Sequence, residues 1–91
     1  MTLDILKKLF GFEECSTGGG CEALYVNVND NGAHILVTNE DEIPKEGDKL
    51  DIGMFDVDGY QVDFAETSDY AEAVKIIQSF IKRLESGERQ L

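Results

Sequence analysis

The side chains that could act as nucleophiles or metal ligands are few in this chain. Cys15, Cys21 and His34 supply three of the four ligands that a structural zinc site needs, and they lack the paired Cys-x2-Cys spacing. A Cys-His nucleophile would use the same residues, but a single histidine in an alternating strand is more typical of a solvated or cross-strand position. The carboxylates are too scattered to nominate an acid-base pair. We therefore predict that the protein is not an enzyme and has no metal or other cofactor.

Two acidic turns superficially match calcium-binding loops. Residues 27–32 fit the first six positions of an EF-hand loop, but the twelfth position is Thr38 rather than a bidentate glutamate. The turn at residues 56–59 has Met54 and Ala65 where the first and twelfth ligands belong. Both segments are better explained as hairpin turns.

The most unusual local feature is a glycine-rich loop, Thr17-Gly18-Gly19-Gly20-Cys21. Three consecutive glycines suggest backbone torsions or close approaches that side chains would block. Successive N–H groups in such a loop can bind an anion. A phosphate loop normally leads into a helix and contributes a lysine, whereas this loop leads into a strand and has none. A structural or partner-contact loop is therefore favoured, and a small-molecule or anion site at residues 17–21 is the alternative.

The segment that begins with this loop resembles small uncharacterised proteins from phages and bacteria. The shared elements are residues 17–24, a following turn with glycine, residues 36–38, and residues 52–56 ahead of Asp58-Gly59. The resemblance covers residues 17 to about 60. It implies a phage or prophage origin and no particular mechanism.

Helical spacing predicts a helix at each end of the chain. Near the N-terminus, Leu3 and Leu6 belong to an apolar stripe that follows Thr2, a suitable N-cap. Near the C-terminus, apolar residues recur every three or four positions over residues 70–84, after Asp69 as the N-cap. The first helix is short and the second is long.

Between the helices, alternating apolar residues predict strands that form hairpins. In the first hairpin, a two-residue type I′ turn at Asn31-Gly32 sets Val28 opposite Ile35 and Val26 opposite Val37.

The second hairpin needs an irregularity to gather its apolar residues. Leu50 and Ile52 share one parity, whereas Phe55 and Val57 share the other. A β-bulge at Gly53 would place all four on one face. We therefore predict a bulge at this glycine.

Asp58-Gly59 repeats the signal of a tight hairpin turn and sets Val57 opposite Tyr60 and Phe55 opposite Val62. The strands then form a four-stranded antiparallel meander. The sequence predicts one α+β domain across the whole 91-residue chain, a two-layer sandwich in which both helices pack on the sheet.

Negative charge is concentrated in the middle of the sequence. The net charge is −11, and residues 22–67 carry twelve acidic residues against only Lys45 and Lys49. Ten of the eleven excess charges therefore belong to the predicted meander and to its acidic surface loop at residues 39–48. Such a surface repels nucleic acid and anionic lipid and attracts basic proteins. The same charge could also serve only to keep a small domain soluble.

We expect a protein partner with a basic surface, and no direct contact with nucleic acid or membrane. A sharper version of this hypothesis is a DNA-mimic inhibitor of a host nucleic-acid-binding or defence protein. The alternative is a homodimer or assembly component that uses the N-terminal helix or the sheet face with Tyr25, His34 and Leu36. The residues expected to contact a partner are Glu40, Asp41, Glu42, Glu46, Asp48, Asp51, Tyr25 and His34.

The sequence also bears on the cellular compartment. No stretch approaches the roughly 20 apolar residues that span a bilayer, and the first residues lack the pattern of a signal peptide. We therefore expect a cytoplasmic protein. In that reducing compartment a lasting disulfide between Cys15 and Cys21 is not expected, and an oxidising compartment would reverse this expectation.

Overall fold

The computed structural model describes residues 1–16, 22–29, 32–40 and 42–89. In these ranges, two helices pack on one antiparallel sheet, whose five strands are neighbours in chain order. The elements are α1 (Leu3–Phe10), β1 (Glu13–Ser16), β2 (Glu22–Asn27), β3 (His34–Thr38), β4 (Leu50–Phe55), β5 (Gln61–Thr67) and α2 (Tyr70–Glu85). The α+β class is confirmed, but the prediction of a four-stranded sheet is wrong by one strand.

The strand missing from the prediction is β1. Its sequence, Glu-Glu-Cys-Ser, has no apolar alternation that would mark it. It forms because Gly11 ends α1 in a left-handed conformation (φ 77°), after which the chain runs along β2. There Glu14 pairs with Leu24 and Cys15 with Ala23. Pairing with β2, rather than the strand's own composition, therefore determines β1.

Both predicted helices are present and begin at the predicted caps. Thr2 Oγ1 accepts a hydrogen bond from the N–H of Ile5 at 3.2 Å, and Asp69 Oδ1 accepts from the N–H of Ala71 at 3.0 Å. In the described part of the chain, neither helix is long and apolar enough to cross a bilayer.

The register of the first hairpin differs from the prediction. Val26, not Val28, lies opposite Ile35, and the ladder closes with a bond from the N–H of Val28 to the carbonyl of Ala33. The connection therefore spans residues 29–32 rather than two residues, and Asn31 lies outside the described residues. Because the register moves by two positions, each side chain keeps its predicted face.

The predicted bulge at Gly53 is also wrong. Strand β4 alternates regularly, so that Leu50, Ile52 and Met54 all point into the core. The register shift lies one step later, where Phe55 pairs with Gln61 instead of Val62. Met54 fills the core position that the bulge was invoked to give to Phe55.

The turn of this second hairpin is longer than predicted. The N–H of Asp56, not Val57, bonds to the carbonyl of Tyr60, and Gly59 adopts a positive φ of 87°. This is a three-residue hairpin loop with glycine in the left-handed position. The carboxylate of Asp56 accepts bonds from the N–H groups of Asp58 and Tyr60, both at 3.0 Å.

The hydrophobic core lies between the helices and one face of the sheet. Helix α2 packs across β3, β4 and β5, and α1 contacts α2 and contributes Leu3 and Leu6 to the same core. Fully buried members of this core include Leu6, Leu24, Ile35, Val37, Leu50, Ile52, Met54 and Ile77. Both helices therefore cover the same face, and the side chains of opposite parity point away from them.

Candidate protein-binding surface

The sheet presents one face that no helix among the described residues covers. Strand parity and register determine which side chains point out from this face. We call this surface the open face. Its members used below are Glu13, Tyr25, His34, Leu36, Asp51, Gly53, Phe55, Phe64 and Glu66.

Three aromatic rings from the adjacent strands β2, β3 and β4 contact one another on the open face. His34 pairs directly with Phe55, and their rings are parallel with centroids 4.9 Å apart. Tyr25 lies on the other side of His34, with centroids 5.3 Å apart and a tilt of 36°. Cross-strand aromatic contacts of this kind stabilise a sheet and present a rigid apolar surface. We call Tyr25, His34 and Phe55 the aromatic row.

Gly53 makes room for the aromatic row. A Cβ atom at this position would lie 2.9 Å from Cε1 of Phe55 and 3.5 Å from Oε1 of Gln61. Real Cβ atoms do not approach a ring carbon that closely, so the ring of Phe55 lies over the glycine because no side chain is there. On the other side of Gly53, Phe64 exposes 46% of its surface.

The polar atoms of the aromatic row have defined orientations. His34 Nδ1 lies 2.7 Å from the carbonyl oxygen of Gly32. A carbonyl only accepts, so Nδ1 carries the hydrogen of this bond. Nε2 bonds to no other described residue. The hydroxyl of Tyr25 donates to Oδ1 of Asn27 at 2.5 Å.

Two acidic side chains lie on β4 and β5, at the end of the open face away from the His34–Phe55 pair. Asp51 and Glu66 are cross-strand partners, and Lys49 reduces their repulsion. Its Nζ lies 3.1 Å from Glu66 Oε2 and 3.7 Å from Asp51 Oδ1. The bond to Glu66 is the main reason that the pKa of Lys49 is raised, with the charge of Asp51 adding to it. Glu13 is exposed on β1 at the opposite side of the face, beside Tyr25.

The structure gives two of the predicted partner-binding acids a role within the fold. Both carboxylate oxygens of Glu46 accept bonds from the N–H of Leu3, at 3.0 and 3.1 Å, so Glu46 binds the N-terminus of α1. Asp48 Oδ2 accepts from the N–H of Lys45 at 2.8 Å and closes a turn. These two side chains therefore hold the loop in place, and the contacts do not mark them as a partner-binding site.

The remaining predicted acids do not lie together. Asp51 is on the open face, with 19% of its side chain exposed. Glu40 is exposed in a turn with a φ of 50°, and Glu42 is exposed and joined by backbone bonds to Asn39. Asp41 lies outside the described residues. The predicted acidic site is therefore divided between the open face and the loop.

A separate depression of about 680 Å³ lies between α1 and residues 42–46. We call it the acidic groove. Its charged lining residues are Asp4, Lys7, Glu14, Glu22, Glu42, Lys45 and Glu46. It gathers two of the predicted acids with three others that their positions in the sequence did not connect.

The glycine-rich loop Thr17-Gly18-Gly19-Gly20-Cys21 lies outside the described residues. The alternative of an anion site, and the expectation that Cys15 and Cys21 form no lasting disulfide, therefore stay predictions. In the parts of the chain that the structure describes, no group of three or more His, Cys, Asp or Glu side chains is arranged to hold a metal ion.

Of the site residues chosen from sequence, Tyr25 and His34 belong to the aromatic row. Sequence reasoning missed Phe55, and the reason is the predicted bulge at Gly53, which moved Phe55 to the core face. Unbroken alternation from Asp51 onward was the signal that would have placed it on the open face.

Comparisons with protein-family models, with curated proteins and with solved structures gave no match. The geometry of the described residues is thus the basis for a functional proposal, and the resemblance to phage and bacterial proteins stays a prediction.

Proposed function

We propose that the protein is a non-catalytic binding domain whose open face docks on a basic surface of another protein. The observation that supports this proposal most directly is the one-sided sheet with an aromatic row on its uncovered face and carboxylates at the margins of that face. Aromatic side chains are common energetic anchors of protein interfaces, because they bury a large rigid surface at a low cost in conformational entropy. Carboxylates at the margins of such a surface select partners by charge.

The sign of the charge restricts the partner. The chain carries a net charge of −11, and Lys49 at the margin of the open face is already bonded to Glu66. A second copy would bring the same negative charge to the contact, and so would nucleic acid or anionic lipid. A basic protein surface is the complementary occupant. Proteins that bind nucleic acid are one class with such a surface.

The size of the open face suggests how much of it the partner must use. The five strands are about 4.8 Å apart, and each contributes about five residues with a rise of about 3.3 Å, so the face has a projected area of about 400 Å². A standard interface buries about 800 Å² on each partner. The contact must therefore extend beyond the aromatic row to the exposed side chains at the margins, including Glu13, Phe64 and Glu66.

Affinity capture with matched variants tests the proposal. The immobilised protein is incubated with bacterial lysate at low and moderate salt, beside the double variant Tyr25→Ala/Phe55→Ala. The control is Ile5→Ala/Leu9→Ala, which also removes two large apolar side chains, at positions that are 52% and 55% exposed on α1. Thermal unfolding confirms that each variant is folded.

We expect specific proteins to be retained by the wild type and by the α1 control, and to be lost from the open-face variant. Truncation of a central aromatic anchor typically costs about 2 kcal/mol or more, which is enough to abolish capture of a moderate-affinity partner. Retention of the same proteins by the open-face variant would contradict the proposal. So would their loss from the α1 control alone.

A further inference from the structure

The two edges of the sheet differ in how exposed they are to pairing with another strand. Strand β1 at one edge has four residues, and two of them are glutamates. Strand β5 at the other edge has seven residues and carries the exposed Phe64. Long edge strands with apolar side chains are templates for pairing with another chain, and soluble proteins usually protect them.

The hydrogen-bond pattern shows which backbone groups of β5 face outward. At the base of the hairpin, the N–H of Asp56 bonds to Tyr60, so Asp56 faces β5. Backbone groups alternate along an antiparallel strand, so Met54 and Ile52 also face β5, and Gly53 faces β3. Phe64 lies opposite Gly53, and its N–H therefore points to the free edge.

That outward N–H already donates a hydrogen bond to a side chain. Asp63 Oδ1 accepts from the N–H of Phe64 at 2.7 Å. The other oxygen, Oδ2, accepts from Nη1 of Arg83 on α2, also at 2.7 Å. Arg83 is held in turn by the carboxylate of Glu88, and its guanidinium lies 5.6 Å from the centre of the Phe80 ring. The carboxylate of Asp63 is thus fixed beside the edge by α2.

We propose that Asp63, positioned by Arg83, closes the β5 edge against antiparallel pairing with β5 of a second copy. In such a pair, the two copies would be related by a two-fold axis, and the N–H and carbonyl of Phe64 would exchange bonds with the other strand. The Asp63 carboxylate accepts the hydrogen bond from the N–H that this pairing needs, and it brings a negative charge to the contact. The register shift beside Val62 adds local twist, which further disfavours a flat pair. This inference does not depend on the proposed function of the open face.

Substitution at Asp63 tests the closure. Asp63→Ala removes both the acceptor and the partner of Arg83. Glu66→Ala is the matched control, because it removes one negative charge from the same strand and leaves the outward N–H of Phe64 untouched. The molar mass of each folded variant is measured by light scattering over a range of concentrations, with circular dichroism as the check on folding.

We expect the wild type and Glu66→Ala to have the mass of one chain, 10.1 kDa, and Asp63→Ala to approach twice that mass as its concentration rises. Adding Phe64→Pro to Asp63→Ala removes the N–H itself and should restore the mass of one chain. Adding Phe64→Ala should not, because it leaves the N–H in place. A folded Asp63→Ala variant that keeps the wild-type mass at all concentrations would overturn the proposal. A wild type that is itself paired through β5 would do the same.

Hydrogen exchange on the wild type gives a test that does not require any substituted protein to fold. The N–H of Glu66 points to the same edge as that of Phe64, since the two residues are two positions apart. We expect the Phe64 amide to exchange about tenfold more slowly than the Glu66 amide, as a charge-assisted bond to the carboxylate would give. Equal exchange at the two amides would show that Asp63 does not occupy the edge.

Discussion

At the scale of single residues, the open face depends on Gly53 and on the ring that lies over it. A glycine inside a strand weakens the strand unless the missing side chain is used, and here the space is filled by Phe55. The ring of Phe55 in turn holds His34 in a parallel stack. One small residue therefore allows two strands to present a flat aromatic surface.

We predict that Gly53→Ala moves the Phe55 ring off His34. The new Cβ would lie 2.9 Å from Cε1, and the ring can yield by changing rotamer, so we expect a destabilisation of about 1 kcal/mol. Urea unfolding measures the free energy, and the ring-current shifts of the His34 protons report the stack. In a Phe55→Ala background the same substitution should cost much less. Equal costs in the two backgrounds would show that the ring does not restrict position 53.

The aromatic row was predictable in part. Tyr25 and His34 follow from strand parity, which survives an error of two in the register. Phe55 does not follow, because counting apolar residues per face favoured a bulge that the chain does not need. Met54 provides the apolar side chain at the core position, and a flexible methionine is easily overlooked beside phenylalanine.

At the scale of elements, contacts distant in sequence position the parts that local patterns left undefined. The loop at residues 39–48 shows no apolar period, yet it is anchored at both the N-terminus of α1 and the start of α2. Glu46 binds the N–H of Leu3, and the hydroxyl of Tyr70 accepts from the N–H of Gly47 at 2.8 Å and donates to the carbonyl of Asp48 at 3.0 Å. No spacing rule connects Glu46 with Leu3, which explains why sequence reasoning assigned Glu46 to a partner.

We predict that Glu46→Ala destabilises the protein by about 1 kcal/mol, because it removes the carboxylate from the N-terminus of α1. Glu42→Ala is the matched control, since it removes the same charge from an exposed position in the same loop. Urea unfolding compares the two variants with the wild type. If Glu42→Ala is equally destabilising, the effect belongs to the charge of the loop and not to the bond with Leu3.

The link between α2 and β5 should affect stability at acid pH. The bond from Arg83 is the main cause that lowers the pKa of Asp63, followed by the bond from the N–H of Phe64, and Arg83 also lowers the pKa of Glu88. A carboxyl whose pKa is lower in the folded state stabilises the fold at neutral pH. That contribution is lost as the pH falls through the folded-state pKa.

We therefore predict that Arg83→Met is less stable than the wild type at pH 7 and that the difference narrows by pH 3. The effect should be small, because Asp63 and Glu88 expose 44% and 38% of their side chains and solvent screens the pairs. Urea unfolding at pH 7 and pH 3 measures the difference in the free energy of unfolding between the variant and the wild type. Arg89→Met is the charge-matched control. A difference in stability that is the same at both pH values would contradict the conclusion that Arg83 lowers the pKa of Asp63 and Glu88.

At the scale of the whole molecule, the α+β class and both helices followed from hydrophobic periodicity, whereas strand β1 did not. The negative charge was predictable as a total, but its arrangement was not, since the fold sends Asp51 to the open face and Glu42 to the acidic groove. The fold also determines that one face of the sheet stays uncovered by the helices. That face, rather than the run of acids in the sequence, is where we place partner binding.

Chemical labelling of His34 tests this placement most directly, because the chain contains a single histidine and that residue is in the aromatic row. The protein is treated with diethylpyrocarbonate alone and in complex with a partner retained by affinity capture, and the modification is quantified by mass spectrometry. The amino group of Lys75, an exposed residue on α2, serves as the internal control. We predict that complex formation slows labelling of His34 several-fold and leaves labelling of Lys75 unchanged. Labelling of His34 at the same rate in the free and bound protein would contradict docking through the open face.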